Sequence, residues 1–123
     1  ISGEGDDAGL HAVGTDTQPI TISGVEKPAG YWHAILFDGS INPDNTLEYV
    51  TVEYGGSPTG GGEEGMITAA SDSHGVSLQV KHCTIKDSGQ WGIWLGKFAE
   101  VNSDIETINT FSNDAKGNVY RQP

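Results

Sequence analysis

The sequence predicts an all-β solenoid, because strand-like segments recur with a period of about 25 residues. Four tetrapeptides superpose, each with Thr in the third place and a large apolar residue in the fourth: PITI (19–22), YVTV (49–52), HCTI (82–85) and INTF (108–111). A second apolar column, out of phase with the first, has spacings of 25, 32 and 26 residues and consists of Leu10, Ile35, Ile67 and Ile93. Two columns at one period indicate two strands in each repeat.

The predicted strands are short, rich in Val, Ile, Thr, Tyr and Phe, and separated by Gly, Asn, Asp and Ser. In order they are 10–13 and 20–23, 34–37 and 47–54, 66–70 and 77–85, and 92–95 and 105–111, and the tail from 117 begins a further rung. Alternation along each strand points the members of the apolar columns inward. The Gly-rich insert 55–62 accounts for the long repeat and maps to a surface loop.

Two polar residues fall in the inward columns of the predicted strands. Asn109 is expected to satisfy its amide on neighbouring backbone, because a buried amide needs hydrogen-bond partners. Cys83 is the only cysteine, so no disulfide can form within the chain, and we expect its thiol to fill the core as a small hydrophobe.

Charge and length exclude several classes of partner. The 123 residues include 17 acids and six bases, for a net charge of −11, whereas phosphate contacts need a basic surface, so nucleic acid is not an expected partner. No apolar run is long enough to cross a bilayer, so membrane insertion is not expected. Residues 1–123 fit a single β-helix domain, interpreted as a fragment of a longer protein. Strand edges at its two ends would allow end-to-end self-association.

The repeats resemble those of right-handed parallel β-helix proteins. The resemblance is carried by the runs GLHAVGT (9–15), PITI (19–22), WHAILF (32–37) and LEYVTVEYGG (47–56), and by the later segments 80–89 and 109–113. It implies a right-handed single-stranded parallel β-helix of about four to five rungs, in a secreted or cell-surface bacterial protein of the pectate-lyase-like superfamily. That superfamily includes lyases, hydrolases and adhesins, so the fold does not imply the function.

Three functions are compatible with these residues. The first is a non-catalytic surface or adhesion module that presents a rigid face to a polysaccharide or a surface protein. Exposed aromatic rings suit sugar stacking, and the candidates are Trp94, Trp91, Trp32 and Tyr54. The second is a fragment of a polysaccharide lyase or glycoside hydrolase, and the third is a structural spacer without a ligand.

The enzyme hypothesis has three candidate catalytic residues, Glu53, Lys86 and His82, which could act as acid or base. Glu53 and Lys86 are also expected to lie side by side on adjacent strands, where an ion pair is the simpler role. The paired Asp motifs and the Gly-His-Gly strand of polygalacturonase-like enzymes are absent, and the only Arg is Arg121 in the tail.

Calcium is the one cofactor that the sequence suggests. Asp38, Asp44, Asp6 and Asp7 lie in predicted corners, where carboxylates and carbonyls can supply oxygen ligands. None of these segments matches an EF-hand or the Gly-Gly-x-Gly-x-Asp repeat. Asp is also a common turn residue, so an ordinary turn remains the alternative at each position.

Overall fold

The structure, a computed structural model, describes residues 1–5 (2–5 for the backbone alone), 7–58, 64–71 and 74–123. This part of the chain forms thirteen β-strands and no helix, and thus no helix long and apolar enough to cross a membrane. In chain order the strands are β1 Ser2–Gly5, β2 His11–Val13, β3 Ile20–Ile22, β4 Ile35–Ser40, β5 Thr46–Glu48, β6 Val50–Glu53, β7 Gly65–Ala70, β8 Val76–Lys81, β9 Thr84–Lys86, β10 Trp91–Leu95, β11 Ala99–Val101, β12 Thr110–Ser112 and β13 Gly117–Arg121.

The strands form three parallel sheets that the chain visits in rotation. The first sheet has the order β1-β4-β7-β10-β13, the second β11-β8-β5-β2 and the third β12-β9-β6-β3. Each turn of the chain adds one strand to every sheet, and each four-stranded sheet therefore spans three turns. The predicted all-β fold is confirmed as a parallel β-solenoid of about three turns, fewer than the four to five rungs expected.

The prediction of two strands in each turn is wrong, because three occur. The segment 47–54 is divided into β5 and β6 by Tyr49, and the segment 77–85 is divided into β8 and β9 at His82. Both residues have positive φ, 51° and 53°, which turns the chain at a corner. Nothing in the apolar pattern predicted β11. Leu10 was also placed wrongly, since the first-sheet column runs through Ile35, Ile67 and Ile93 without it.

The core lies inside the three sheets and is built from the predicted inward columns. Phe37, Val52, Ile67, Ile85 and Ile93 are all fully buried. Complete burial of one such side chain stabilises the fold by about 1.5–3 kcal/mol. The central strand β7 is buried along its whole length. Its inward and its outward side chains are therefore both shielded from solvent.

The expectations for the two unusual inward residues are confirmed. The Asn109 side chain is 7% exposed, and its Oδ1 accepts from the backbone N–H of Cys83 at 2.8 Å. Its Nδ2 donates to the carbonyls of Val80 and Ile105, each at 2.8 Å. Cys83 is 1% exposed within the core, and burial raises the pKa of its thiol.

Candidate functional site

The exposed face of the third sheet carries a ladder of threonines. Thr21, Thr51, Thr84 and Thr110 are paired in register from β3 to β12, as the tetrapeptide repeat predicts. Adjacent strands lie about 4.8 Å apart, so a hydroxyl group recurs at that step. Each hydroxyl can both donate and accept a hydrogen bond. The ladder is therefore a regular row of polar groups on a rigid backbone.

Two aromatic rings lie beside this ladder, at the corner between the second and third sheets. Tyr49 and His82 occupy equivalent corner positions on successive turns, and their rings stack at 4.9 Å between centroids with 12° between planes. The ring of His82 is exposed and that of Tyr49 is half-buried. Their positive φ angles place both side chains in the same direction, which is what allows the two rings to stack.

The same corner is longer in the first turn and in the last. Residues 14–19 connect β2 to β3, and residues 102–109 connect β11 to β12. The first of these loops is held in place at both ends, because Gly14 N donates to Glu48 O at 2.8 Å and Ile20 N donates to Tyr49 O at 3.0 Å. Within the loop, Thr15 N donates to Gln18 O at 3.1 Å. The loop therefore forms a fixed wall next to the stacked rings.

A cleft of about 240 Å³ lies between this wall, the stacked rings and the threonine ladder. Its lining residues are Thr15, Asp16, Pro19, Tyr49, Val50, Thr51, His82 and Thr84. The set combines hydroxyl groups, two aromatic rings, one carboxylate and a small apolar area. Ligand sites combine apolar surface with placed polar groups, and this cleft does so with a more polar lining than most of them have.

The predicted binding residues Trp94 and Trp91 lie elsewhere, on the first sheet. Trp94 is in register with Tyr120 on β13, and the two rings stack at 5.7 Å and 23°. Trp91 also contacts Tyr120, at 5.4 Å and 43°. Trp91 and Trp94 belong to one strand, β10, and Tyr120 belongs to the neighbouring strand β13, so the three rings form an aromatic cluster on the first sheet. Tyr120 covers one face of Trp94, as the stack of Tyr49 and His82 covers one face of each of its own rings.

Of the other two predicted binding residues, Tyr54 lies at the corner after β6, and Trp32, in the connection from β3 to β4, packs against that corner. Trp32 Nε1 donates to Glu53 O at 2.9 Å, and its ring covers Gly55, where a Cβ would lie 2.7 Å from ring carbons. The ring of Tyr54 has Lys27 Nζ at 6.0 Å from its centroid. The structure thus divides the four predicted aromatic residues between two separate places.

The candidate catalytic residues Glu53 and Lys86 form the predicted ion pair. Their charged atoms are 3.2 Å apart, with the Glu53 side chain 14% exposed, and Ser23 Oγ also donates to the Glu53 carboxylate at 2.9 Å. Burial raises the pKa of Glu53, but the hydrogen bonds from Ser23 and Lys86 outweigh it and the net pKa is lowered. The pKa of Lys86 is raised by its hydrogen bond to Glu53. Both shifts oppose proton transfer at neutral pH, because Glu53 stays ionised and Lys86 stays protonated. His82, the third candidate, lies in the cleft with Tyr49.

The structure describes three of the four predicted calcium ligands. Asp7, Asp38 and Asp44 are exposed, and Asp6 lies outside the described residues. The backbone N–H of Asp44 donates to Asn42 Oδ1 at 2.9 Å, a local bond typical of an Asx turn. Within the described ranges no three His, Cys, Asp or Glu residues group as metal ligands would.

Sequence reasoning missed the cleft, although it named His82. The sequence did carry a signal for these corners. Inward residues within a strand are two positions apart, so two inward residues that are three positions apart indicate a corner between two strands. Leu47 and Val50 show this spacing around Tyr49, and Val80 and Cys83 show it around His82. The wall formed by residues 14–19 had no comparable signal, because its position depends on backbone bonds to the next turn.

Comparisons with protein-family models, with curated proteins and with solved structures find no match for this chain. The fold class is therefore established by the strand topology itself.

Proposed function

We propose that this chain is a non-catalytic β-helix module of a secreted or cell-surface bacterial protein, and that it binds carbohydrate in the cleft beside Tyr49 and His82. The observation that carries the proposal is the cleft, where two stacked rings adjoin a ladder of hydroxyl groups. The repeat motifs support placing the chain beside the right-handed parallel β-helix proteins of the pectate-lyase-like superfamily.

The chemistry of the cleft suits a sugar ring. Aromatic side chains offer contact area to the C–H faces and edges of sugars and lose little conformational entropy on binding. Thr51 and Thr84 add donors and acceptors that can replace the water around sugar hydroxyls. Because the threonines are on paired strands and the wall is anchored by backbone bonds, little ordering is needed when the ligand binds.

Matched variants test the proposal by affinity electrophoresis on a panel of polysaccharides, with reducing ends and unsaturated uronates assayed in the same samples. Tyr49→Asn and His82→Asn remove the rings while keeping a residue type that tolerates positive φ. We expect each to weaken retention about tenfold, the equivalent of about 1.4 kcal/mol. Thr51→Val, which removes a hydroxyl from the cleft, should weaken retention, whereas Thr110→Val, in the same ladder but outside the lining, should not.

Three outcomes would contradict the proposal. If Trp94→Leu abolished retention while Tyr49→Asn left it intact, the ligand would bind the aromatic cluster of the first sheet. Release of new reducing ends or unsaturated uronates by the unaltered protein would make it a hydrolase or a lyase. Absence of retention across the whole panel would favour a structural spacer.

A further inference from the structure

We propose that the cleft binds an uncharged sugar unit and discriminates against uronates, an inference that rests on the proposed function and specifies its ligand class. The lining contains one carboxylate, Asp16, and no Lys or Arg. Asp16 is an exposed residue of the lining. An anionic sugar in the cleft would lie beside this carboxylate, with no Lys or Arg among the described lining residues to compensate the repulsion.

Of the two lysines nearest to the cleft along the chain, one is ion-paired with an acid and the other lies on a strand beside one. Lys86 is held by Glu53 at 3.2 Å, and Lys81, next to His82, is in register with Glu48. The whole chain has a net charge of −11. The protein as a whole therefore also repels an anionic polymer at long range. Both local and overall charge favour a neutral ligand.

The remaining groups of the cleft complement neutral hydroxyls. The two oxygens of an ionised carboxylate only accept hydrogen bonds, so Asp16 can accept from two neighbouring hydroxyls of one sugar. Hydrogen bonds to a charged acceptor are stronger than those between neutral groups. Thr15, Thr51 and Thr84 can both donate and accept. The volume of about 240 Å³ is below the usual range of ligand pockets, which suits one sugar ring.

Oligosaccharides of equal length, measured by isothermal titration calorimetry in chelator at low and at high salt, test this inference. The neutral probes are the hexamers of β-1,4-glucose, β-1,4-xylose and β-1,4-mannose, and the acidic probes are hexagalacturonate and hexaguluronate. We expect at least one neutral probe to bind with a dissociation constant that salt does not change. Both acidic probes should bind at least tenfold more weakly.

Two substitutions at one position separate charge from shape. Asp16→Asn keeps the size of the side chain but removes its charge, and it should weaken binding of the neutral probe several-fold. Asp16→Lys should improve binding of the acidic probes at low salt relative to the unaltered protein. Trp94→Leu, on a different sheet, is the control and should change neither class.

The outcomes distinguish this inference from the function on which it rests. Tighter binding of the acidic probes than of every neutral one would overturn the inference and leave carbohydrate binding intact. Equal affinity of both classes, or no response of the acidic probes to Asp16→Lys, would also overturn it. If no probe bound and the polysaccharide panel gave no retention, the proposed function itself would fail.

Discussion

Asp114 should make the stability of this protein fall as pH rises from about 4 to about 7. Its Oδ1 accepts from the backbone N–H of Ser88 at 3.0 Å, whereas its Oδ2 is buried and has no hydrogen-bond partner among the residues that the structure describes. The carboxyl group lies directly over Gly92, where a Cβ would be 2.7 Å from Oδ2. Burial raises the pKa of Asp114 from 3.8 to about 7, assisted by the charge of Asp87 and opposed by the Ser88 amide.

The sign and size of the effect follow from this pKa. Because the pKa of Asp114 is higher in the folded state, that state keeps a proton that the unfolded chain releases. The free energy of unfolding therefore declines from about pH 4 to about pH 7 and then levels off. A shift from 3.8 to about 7, at about 1.36 kcal/mol per pH unit, sets a ceiling of about 4 kcal/mol. Residual solvent contact reduces the expected effect to about 2 kcal/mol.

Asp114→Asn tests this reasoning, because the amide has the shape of the protonated acid and does not ionise. Urea unfolding from pH 4 to pH 8 should show equal stability of variant and unaltered protein near pH 4. The variant should be more stable by about 2 kcal/mol at pH 8. Asp7→Asn, at an exposed site, removes the same charge and controls for the overall charge of the chain. A constant difference across the pH range, or a variant less stable at pH 8, would refute the burial of an ionisable Asp114.

Three further predictions concern the core and the ion pair. Asn109→Ala should destabilise the fold by about 2 kcal/mol or more, because it takes this partner from the buried Cys83 N–H and Ile105 carbonyl, whereas the Val80 carbonyl keeps its bond from Asn102 Nδ2 at 2.9 Å; denaturant unfolding measures this, and a loss below about 1 kcal/mol would contradict it. The Cys83 thiol, 1% exposed, should react with a thiol reagent only as fast as the protein unfolds; rapid labelling under native conditions would show that the core opens locally. Glu53→Gln should cost about 0.5 kcal/mol at low salt and less at high salt, as expected for a pair near the surface; a salt-independent loss would mean that packing dominates.

The third sheet could be predicted residue by residue from the sequence. Its strands follow one another without an insertion inside the tetrapeptide repeat, so Thr21, Thr51, Thr84 and Thr110 superpose in sequence and in space. Alternation then assigned the inward residues correctly. A repeat predicts structure best where every copy has the same length and the same inward and outward positions.

The corners could not be predicted in the same way, because their backbone conformations are poorly signalled by residue type. Gly and Asn are the residue types that most often adopt positive φ, and Asn113 is an example with φ 55°. Tyr49 and Tyr54 adopt similar angles, although Tyr as a residue type does not predict positive φ. This is why segments 47–54 and 77–85 were each predicted as one strand. The four predicted aromatic residues do not form one site, for a related reason. Alternation predicts the sheet face on which Trp94 lies, but it does not predict that the ring of Tyr120 covers Trp94.

Stacked aromatic rings alone do not distinguish the cleft from the rest of the solenoid. Tyr49 and His82 stack at 4.9 Å, close to the strand spacing of about 4.8 Å, so the repeat itself sets the distance between rings at equivalent corners. The Trp94–Tyr120 pair arises in the same way on the first sheet.

What the cleft has in addition is the wall formed by residues 14–19. This loop supplies Thr15, Asp16 and Pro19 to the lining and is fastened to the next turn at both of its ends. A corner as short as the one at Tyr49 would leave both rings and the threonine ladder in place but open the cleft to solvent on one side. The proposed recognition site therefore lies where one turn of the solenoid differs from the repeat, at the loop 14–19. The regular turns provide the rigid surface to which this loop is hydrogen-bonded.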